Sequence, residues 1–331
     1  MSTTAMETEE LSVREVVEQT MAEEMERDES VFLQGIDVAG RGGEADLGAG
    51  LVDQFGEERV RNTPISEVAI VGTGLGAAAT GMRPIVEVMY SGFLGVPGDQ
   101  ILNQVAKMRY MFGGKLDIPL TIRTHNTMGH RAGAQHSQSL HNWMAAIPGI
   151  KVVNVSTPRD TKGLLKSAIR SNDPVVVFEH SGIYNRKGEV PVDPDFTLPI
   201  GEAAVEREGE DVTVVATQVQ IWNALEAAEQ VADDGVSVEV VSPRTFAPLD
   251  VDTIVESVRK TGRCVVVDET PLRMGSQGDI AAEIHEEAFF DLDFPVQRVG
   301  VPNVPIPFSP PLEDEVVPGT DDIVEKIEML A

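Results

Sequence analysis

From Pro64 to Phe178 the chain alternates between helical periodicity and short apolar runs, and after a stretch without period the same alternation restarts at Val212. Helices are expected over residues 65–80, 97–111, 139–146 and 158–170, with strands over 84–90, 119–123, 151–155 and 174–179. In the second block the expected strands are 212–217, 237–241, 263–267 and 295–299. Helices fall between them at 219–232, 251–260 and 277–289, and a closing helix at 321–330. Helices alternating with short apolar strands indicate a parallel sheet covered on both faces. The fold class is therefore α/β with two domains, each a mostly parallel sheet covered by helices. They span residues 10–185 and 209–331, with 186–208 as the linker.

Smaller signals fill the gaps. Ser12 begins a helix, with Glu15 three positions on and Val13, Val16, Val17, Met21 and Met25 along one face, the pattern of a capping box before an apolar stripe. A short strand is expected at 31–33. Residues 40–51, GRGGEADLGAGL, are too glycine-rich for regular structure and read as a surface or cofactor-adjacent loop. The proline-rich segment 302–311 is not expected to be helical.

Charge narrows the partners. The chain of 331 residues holds 54 acidic and 26 basic side chains, a formal net charge of −28. A surface so anionic repels nucleic acid and anionic lipid. The acids are scattered through the chain, the pattern of adaptation to high salt, where abundant carboxylates keep a surface solvated. One cysteine, Cys264, excludes an internal disulfide framework and a multi-cysteine zinc site. No apolar run approaches the ~18–20 residues that span a bilayer. The acidic, polar amino terminus carries no secretory signal, so a cytoplasmic protein is expected.

Several motifs invite chemistry. Gly72-Thr-Gly74-Leu-Gly-Ala77 matches the G-x-G-x-x-A dinucleotide fingerprint. Yet Pro64 and Ser66 mark a helix start ahead of it, so the segment reads better as one helix with a face of small residues. Four histidines, 125, 130, 136 and 141, lie close together, but none shares the i, i+4 spacing that sets two zinc ligands on one helical face. His136 stands just before an expected helix, where a parallel sheet builds its sites. Neither G-x-S-x-G nor a P-loop occurs, so neither an α/β-hydrolase nor a nucleotide triphosphatase is supported. Glu67, in Thr63-Pro-Ile-Ser-Glu67, reads alone as a first-turn acid behind a serine cap.

Taken in order, TPISE, Gly81-Met-Arg-Pro-Ile-Val-Glu87, Asp99-Gln-Ile-Leu-Asn103, Ala134-Gln-His-Ser-Gln138, Pro148–Val153, Lys162–Arg170, Asp173–Val177, Ser242–Asp250 and Pro305–Glu313 resemble the beta subunit of thiamine-diphosphate-dependent 2-oxo acid dehydrogenases. These blocks cover roughly residues 10 to 328. The resemblance implies a transketolase-like pyrimidine-binding domain followed by a transketolase carboxy-terminal domain. In that family an alpha chain holds the diphosphate and its magnesium through a GDG motif. No GDG occurs here, since Gly98-Asp99 is followed by Gln100 and Gly278-Asp279 by Ile280. An obligate assembly of two alpha and two beta chains is implied.

By the same resemblance, Glu67 activates the cofactor by hydrogen bonding to its aminopyrimidine nitrogen and favouring the imino tautomer, a case of matched acid–base groups. Phe93 would stack on the pyrimidine. His136 would orient the substrate or relay a proton as the acyl group passes to a lipoyl arm. Leu120, Ala168, Ile169, Ser171 and Asp173 match positions that hold potassium in some relatives, with Ser171 in place of an acid. Val96 stands where pyruvate-type members carry a glutamine.

The implied activity is oxidative decarboxylation of a 2-oxo acid, pyruvate or branched-chain, with acyl transfer to lipoyl-lysine. Arg109–Gly114 and Tyr184–Pro191 look more like the acetoin-cleaving branch. Other readings are half of a split transketolase, a nicotinamide oxidoreductase, or a non-catalytic scaffold between the alpha chain and the acyltransferase. The acids Glu313-Asp-Glu315 and Asp321-Asp322 would face a basic domain of that acyltransferase.

Overall fold

A computed structural model describes residues 6–40 and 49–331. The chain divides into two compact units: Met1–His125, Trp143–Glu179 and Ile183–Ile200 form the first, and Asn126–Asn142, His180–Gly182 and Gly201–Ala331 the second. Most of the glycine-rich segment 40–51 lies outside the described residues, and its last residues enter a helix, Ala49–Phe55.

The strands of the first unit run in the order Lys151–Asn154, Val175–His180, Thr121–Asn126, Arg83–Tyr90, Val31–Gly35, Val60–Asn62. Their registered neighbours are parallel, for example Val31 opposite Arg83 and Lys151 opposite Val175. The strands Val31–Gly35, Thr121–Asn126 and Val175–His180 are buried along their lengths, as a sheet with helices on both faces requires. Ser12 caps the helix Val13–Arg27 through a capping box with Glu15, and Val13, Val16, Val17, Met21 and Met25 are buried as the periodicity demands. The helix Pro158–Arg170 has the expected bounds.

The fingerprint-like glycines lie inside the helix Glu67–Ala79. A Cβ on Gly74 would stand 2.5 Å from Val86 Cγ1 and 3.2 Å from Leu120 Cδ1. Gly74 thus lets the helix press onto its sheet, and no strand-to-helix turn is present there to hold a pyrophosphate.

Three segments differ from expectation. The helix expected over 97–111 is broken into a π-helical stretch, Gln100–Val105, and a single turn, Met108–Met111. The segment 186–208 carries two strands. Lys187–Pro191 pairs antiparallel with Thr8–Ser12, and Ala204–Arg207 closes the edge of the second sheet. The proline-rich segment contributes the start of a helix, Pro310–Val316, because prolines fit the first turn, where the amide has no intrahelical partner.

In the second unit a 5-stranded sheet runs in the order Gln297–Val301, Cys264–Pro271, Val212–Ala216, Val238–Ser242, Ala204–Arg207. All registered pairs are parallel except that of Ala204–Arg207. Valines alternate between its faces. Val214, Val240 and Val265 pack with Ile221 and Ala224 of the helix Val219–Ala232 and Ile323 and Ile327 of Thr320–Leu330. On the other face Val215, Val241 and Val266 meet Ile254 and Val258 of Val251–Thr261 and Ile280 and Ile284 of Ser276–Ala288.

Candidate functional site

Parallel strands bring their carboxyl ends to one edge of a sheet, where α/β folds place their sites. In the first unit the strand Val60–Asn62 ends at that edge and the chain turns into the helix Glu67–Ala79, with Glu67 as its first residue. The strand Arg83–Tyr90 ends at the same edge and passes into the turn Ser91–Gly95, which carries Phe93. Glu67 and Phe93 therefore share one edge of one sheet.

Glu67 is only 8% exposed. Its carboxylate makes no hydrogen bond or ion pair among the described residues, and Ser66 provides no side-chain cap for the helix, contrary to the sequence reading. Glu67 sits in the first turn of its helix, where amide groups favour an anion. Phe93 is half-buried and meets Tyr90 edge-on at 5.6 Å between ring centres. Tyr90 in turn packs against His125 at 5.0 Å. Val96, which follows, is exposed and offers no polar contact.

Beneath this edge lies a charged cluster that periodicity did not reveal. Arg123 donates to Glu179 Oε1 at 2.8 Å and to Glu87 Oε2 at 2.9 Å, and Tyr184 Oη donates to Glu179 Oε2 at 2.9 Å. Burial raises the pKa of Glu87, and the neighbouring Arg123 charge only partly opposes it. Burial likewise pushes the Tyr184 phenol well up.

His136 belongs to the second unit, in the segment Asn126–Asn142. The helix expected from residue 139 begins only at His141, so His136 sits in irregular chain. Its backbone holds it: the amide donates to Gly133 O at 3.2 Å, and its carbonyl accepts from Thr127 Oγ1. Glu313, fully buried, accepts from the amides of Gly129 at 3.0 Å and Arg131 at 2.9 Å and from Arg131 Nη1 at 2.8 Å. This carboxylate anchors the histidine segment and was missed as a positioning residue. Only its place in an acidic run was visible in the sequence. His141 is buried against Asp268, 3.0 Å from Oδ2. His130 is exposed, and partial desolvation and the His180 charge lower its pKa.

The residues matched to a potassium site gather where the helix Pro158–Arg170 ends. Ala168 O accepts from Ser171 N at 3.1 Å, and Leu120 O from Val175 N at 3.0 Å. Arg83 Nη1 donates to Ile169 O at 3.2 Å and to Ser171 O at 3.0 Å. Asp173 pairs with Lys151 at 3.2 Å and Arg109 at 3.3 Å. Cations are favoured at a helix carboxyl end, and the chain's own cations already gather there.

Residues 9–187 match the family described as transketolase, pyrimidine binding domain, and residues 201–323 the transketolase C-terminal domain. The chain is 46% identical over 326 residues to the acetoin:2,6-dichlorophenolindophenol oxidoreductase subunit beta of Bacillus subtilis, covering 95% of each chain. Identity to the protein of that name from Cupriavidus necator is 47% over 323 residues, again covering 95% of each. Identity to the 2-oxoisovalerate dehydrogenase subunit beta of Bacillus subtilis is 42%, covering 97% of this chain and 98% of the relative. Among solved structures, a split-gene transketolase described as an inactive beta4 tetramer superposes with a TM-score of 0.75 at 22% identity, covering 97% of this chain and 98% of the other. That likeness fixes the two-domain fold.

Proposed function

The chain belongs to the beta subunits of thiamine-diphosphate-dependent 2-oxo acid and acetoin dehydrogenases, and from that membership we propose that it supplies the cofactor-activating half of a shared active centre. The observation that carries this reading is Glu67, buried at the carboxyl edge of the first unit's sheet with no hydrogen-bond partner among the described residues. A carboxylate so placed fits an aminopyrimidine nitrogen, and the half-buried Phe93 at the same edge offers a ring face for stacking.

Thiamine diphosphate, when bound, supplies the electron sink for cleaving the bond beside the substrate carbonyl. Glu67 holds a proton at its carboxylate toward the ring nitrogen, and its burial keeps water from competing for that proton. Phe93 fixes the plane of the ring. His136, held by Gly133 and Thr127, carries a titratable nitrogen that orients the substrate or relays a proton as the acyl group leaves.

The reaction we assign is oxidative decarboxylation of a 2-oxo acid with acyl transfer to lipoyl-lysine. Cleavage of acetoin is the second reading. It is favoured by the 46% and 47% identities to acetoin oxidoreductase beta subunits and by the segments Arg109–Gly114 and Tyr184–Pro191. An alpha subunit would complete the site with the diphosphate and magnesium, in an assembly of two alpha and two beta chains. The exposed side chains of Tyr110, Met111 and Phe112 offer apolar surface for such a partner. The acyltransferase would dock on the second unit, near the exposed Asp314, Glu315, Asp321 and Asp322, whereas Glu313, expected from the sequence to share that surface, is fully buried and bonded to Arg131. Potassium at Leu120, Ala168, Ile169 and Asp173 would use the second lone pair of carbonyls already bonded within the chain. The assembly would work in the cytoplasm, with the acidic surface an adaptation to salt.

Glu67→Gln, assembled with the alpha subunit, tests the reading. Turnover of a 2-oxo acid or acetoin with an artificial electron acceptor should fall by roughly 10²–10⁴-fold while the assembly persists. Unchanged turnover would refute it.

A further inference from the structure

Residues 127–140, which carry His136, form neither helix nor strand. Side chains on such chain hold position less precisely than those on helices or strands, unless other groups lock them. On the amino side of His136 the lock is Glu313, through the amides of Gly129 and Arg131. On its carboxyl side the irregular stretch ends at His141, which is fully buried against Asp268 of the strand Cys264–Pro271. The Asp268 carboxylate is itself fixed. Its Oδ2 accepts from Thr217 Oγ1 at 2.6 Å, and its Oδ1 accepts from the Thr270 amide at 2.7 Å. Burial alone would raise its pKa, but the His141 ring and the bonds from Thr217 and Thr270 hold it well below the usual carboxylate range.

An ionised carboxylate only accepts hydrogen bonds. His141 Nε2, 3.1 Å from Oδ1 and 3.0 Å from Oδ2, therefore carries the hydrogen between the two side chains. The face of the same ring lies on Phe246, with 4.8 Å between ring centres. One bond at the ring edge and one stacked face fix both the place and the plane of His141. We infer that Asp268, acting through His141, is a positioning residue for His136: it holds the carboxyl end of the histidine segment as Glu313 holds the amino end. A buried charge and its partner seldom add stability over apolar side chains of like size, so what this pair contributes is a defined geometry. Both residues are fully buried, and their part in the reaction is placement alone.

The inference rests on the reading of His136 as the group that orients the substrate or relays a proton, and the test separates the two. In the assembly with the alpha subunit, kcat/KM for a 2-oxo acid and for acetoin is measured with an artificial electron acceptor and with a lipoyl domain as acceptor. Asp268→Asn keeps the shape of the side chain and removes its charge. It should lower kcat/KM by roughly 10- to 100-fold in the assay that His136→Ala also slows. In the double variant the Asp268→Asn loss should vanish, because no imidazole is left to place. His141→Gln, which keeps a donor toward Asp268, should retain most of the activity that His141→Leu loses. Losses that multiply in the double variant would make Asp268 a structural residue only and overturn the inference. So would a His141→Gln assembly no more active than that of His141→Leu. His136→Ala as active as the parent in both assays would instead remove the reading of His136, and this inference with it.

Discussion

Arg123 grips Glu179 with two hydrogen bonds, from Nε at 2.8 Å and Nη2 at 3.0 Å, and both side chains are 2% exposed. The third arm of the same guanidinium reaches Glu87. One cation thus faces two carboxylates in the interior of a parallel sheet.

Removing that cation leaves both acids uncompensated. Arg123→Met should destabilise the chain by about 3–5 kcal/mol, read from equilibrium urea unfolding. Glu87 already has a raised pKa through burial, so its stabilising contribution is full below the ordinary carboxylate range and declines as pH rises through the folded value. Without Arg123 that decline steepens. The deficit should therefore widen from acid toward neutral pH, and a deficit independent of pH would refute the account.

Gly74 and Gly76 share a helix and should respond oppositely to alanine. At Gly74 the new methyl would stand 2.5 Å from Val86 Cγ1, and overpacking should cost roughly 1–3 kcal/mol. At Gly76, exposed and with nothing within 4 Å of the added carbon, alanine should gain roughly 0.5–1 kcal/mol through lower backbone entropy in the unfolded chain. Melting temperatures of the two variants check both signs.

The contrast also shows what a linear pattern reveals. Apolar period delimits Pro158–Arg170 and Val219–Ala232 at their observed ends, because one face of each must be buried. Edge strands escaped: Thr8–Ser12 and Lys187–Pro191 alternate only partly, with charged residues outward, and their pairing is between distant segments. The π-helical stretch Gln100–Val105 escaped too, since its Ala106 N to Ile101 O bond of 3.0 Å leaves the apolar spacing that of an ordinary helix. At the site, Glu67 could be located by motif, but its burial at the sheet edge is a three-dimensional fact. Arg123, Lys162 and Lys166 are fully buried, whereas polarity alone assigns such residues to the surface.

Ser12 offers a local check. Its hydroxyl accepts from Glu15 N at 3.3 Å while Glu15 Oε2 accepts from Ser12 N at 2.8 Å. Ser12→Ala should cost about 1 kcal/mol. Unfolding midpoints that match the parent would mean that the packing of Val13–Arg27, and not its cap, sets the helix start.

Buried Glu24 gives the chain an acid-sensitive brace between the helices Val13–Arg27 and Pro158–Arg170. It accepts from Arg170 Nη2 at 2.7 Å and Lys166 Nζ at 3.1 Å. Burial would raise its pKa, but the Arg170 hydrogen bond and the Lys166 charge together lower it below the usual range. A depressed carboxyl adds stability that is present above its unfolded pKa and lost as pH falls through the folded one. Below about pH 4 the parent should lose this share of its stability. Glu24→Gln should cost about 3 kcal/mol at neutral pH, the low end for a broken buried pair because Glu23 still reaches Lys166. It should also flatten the acid limb of the stability profile. Parallel acid limbs in urea titrations of the two proteins would show that Glu24 is not the group being protonated.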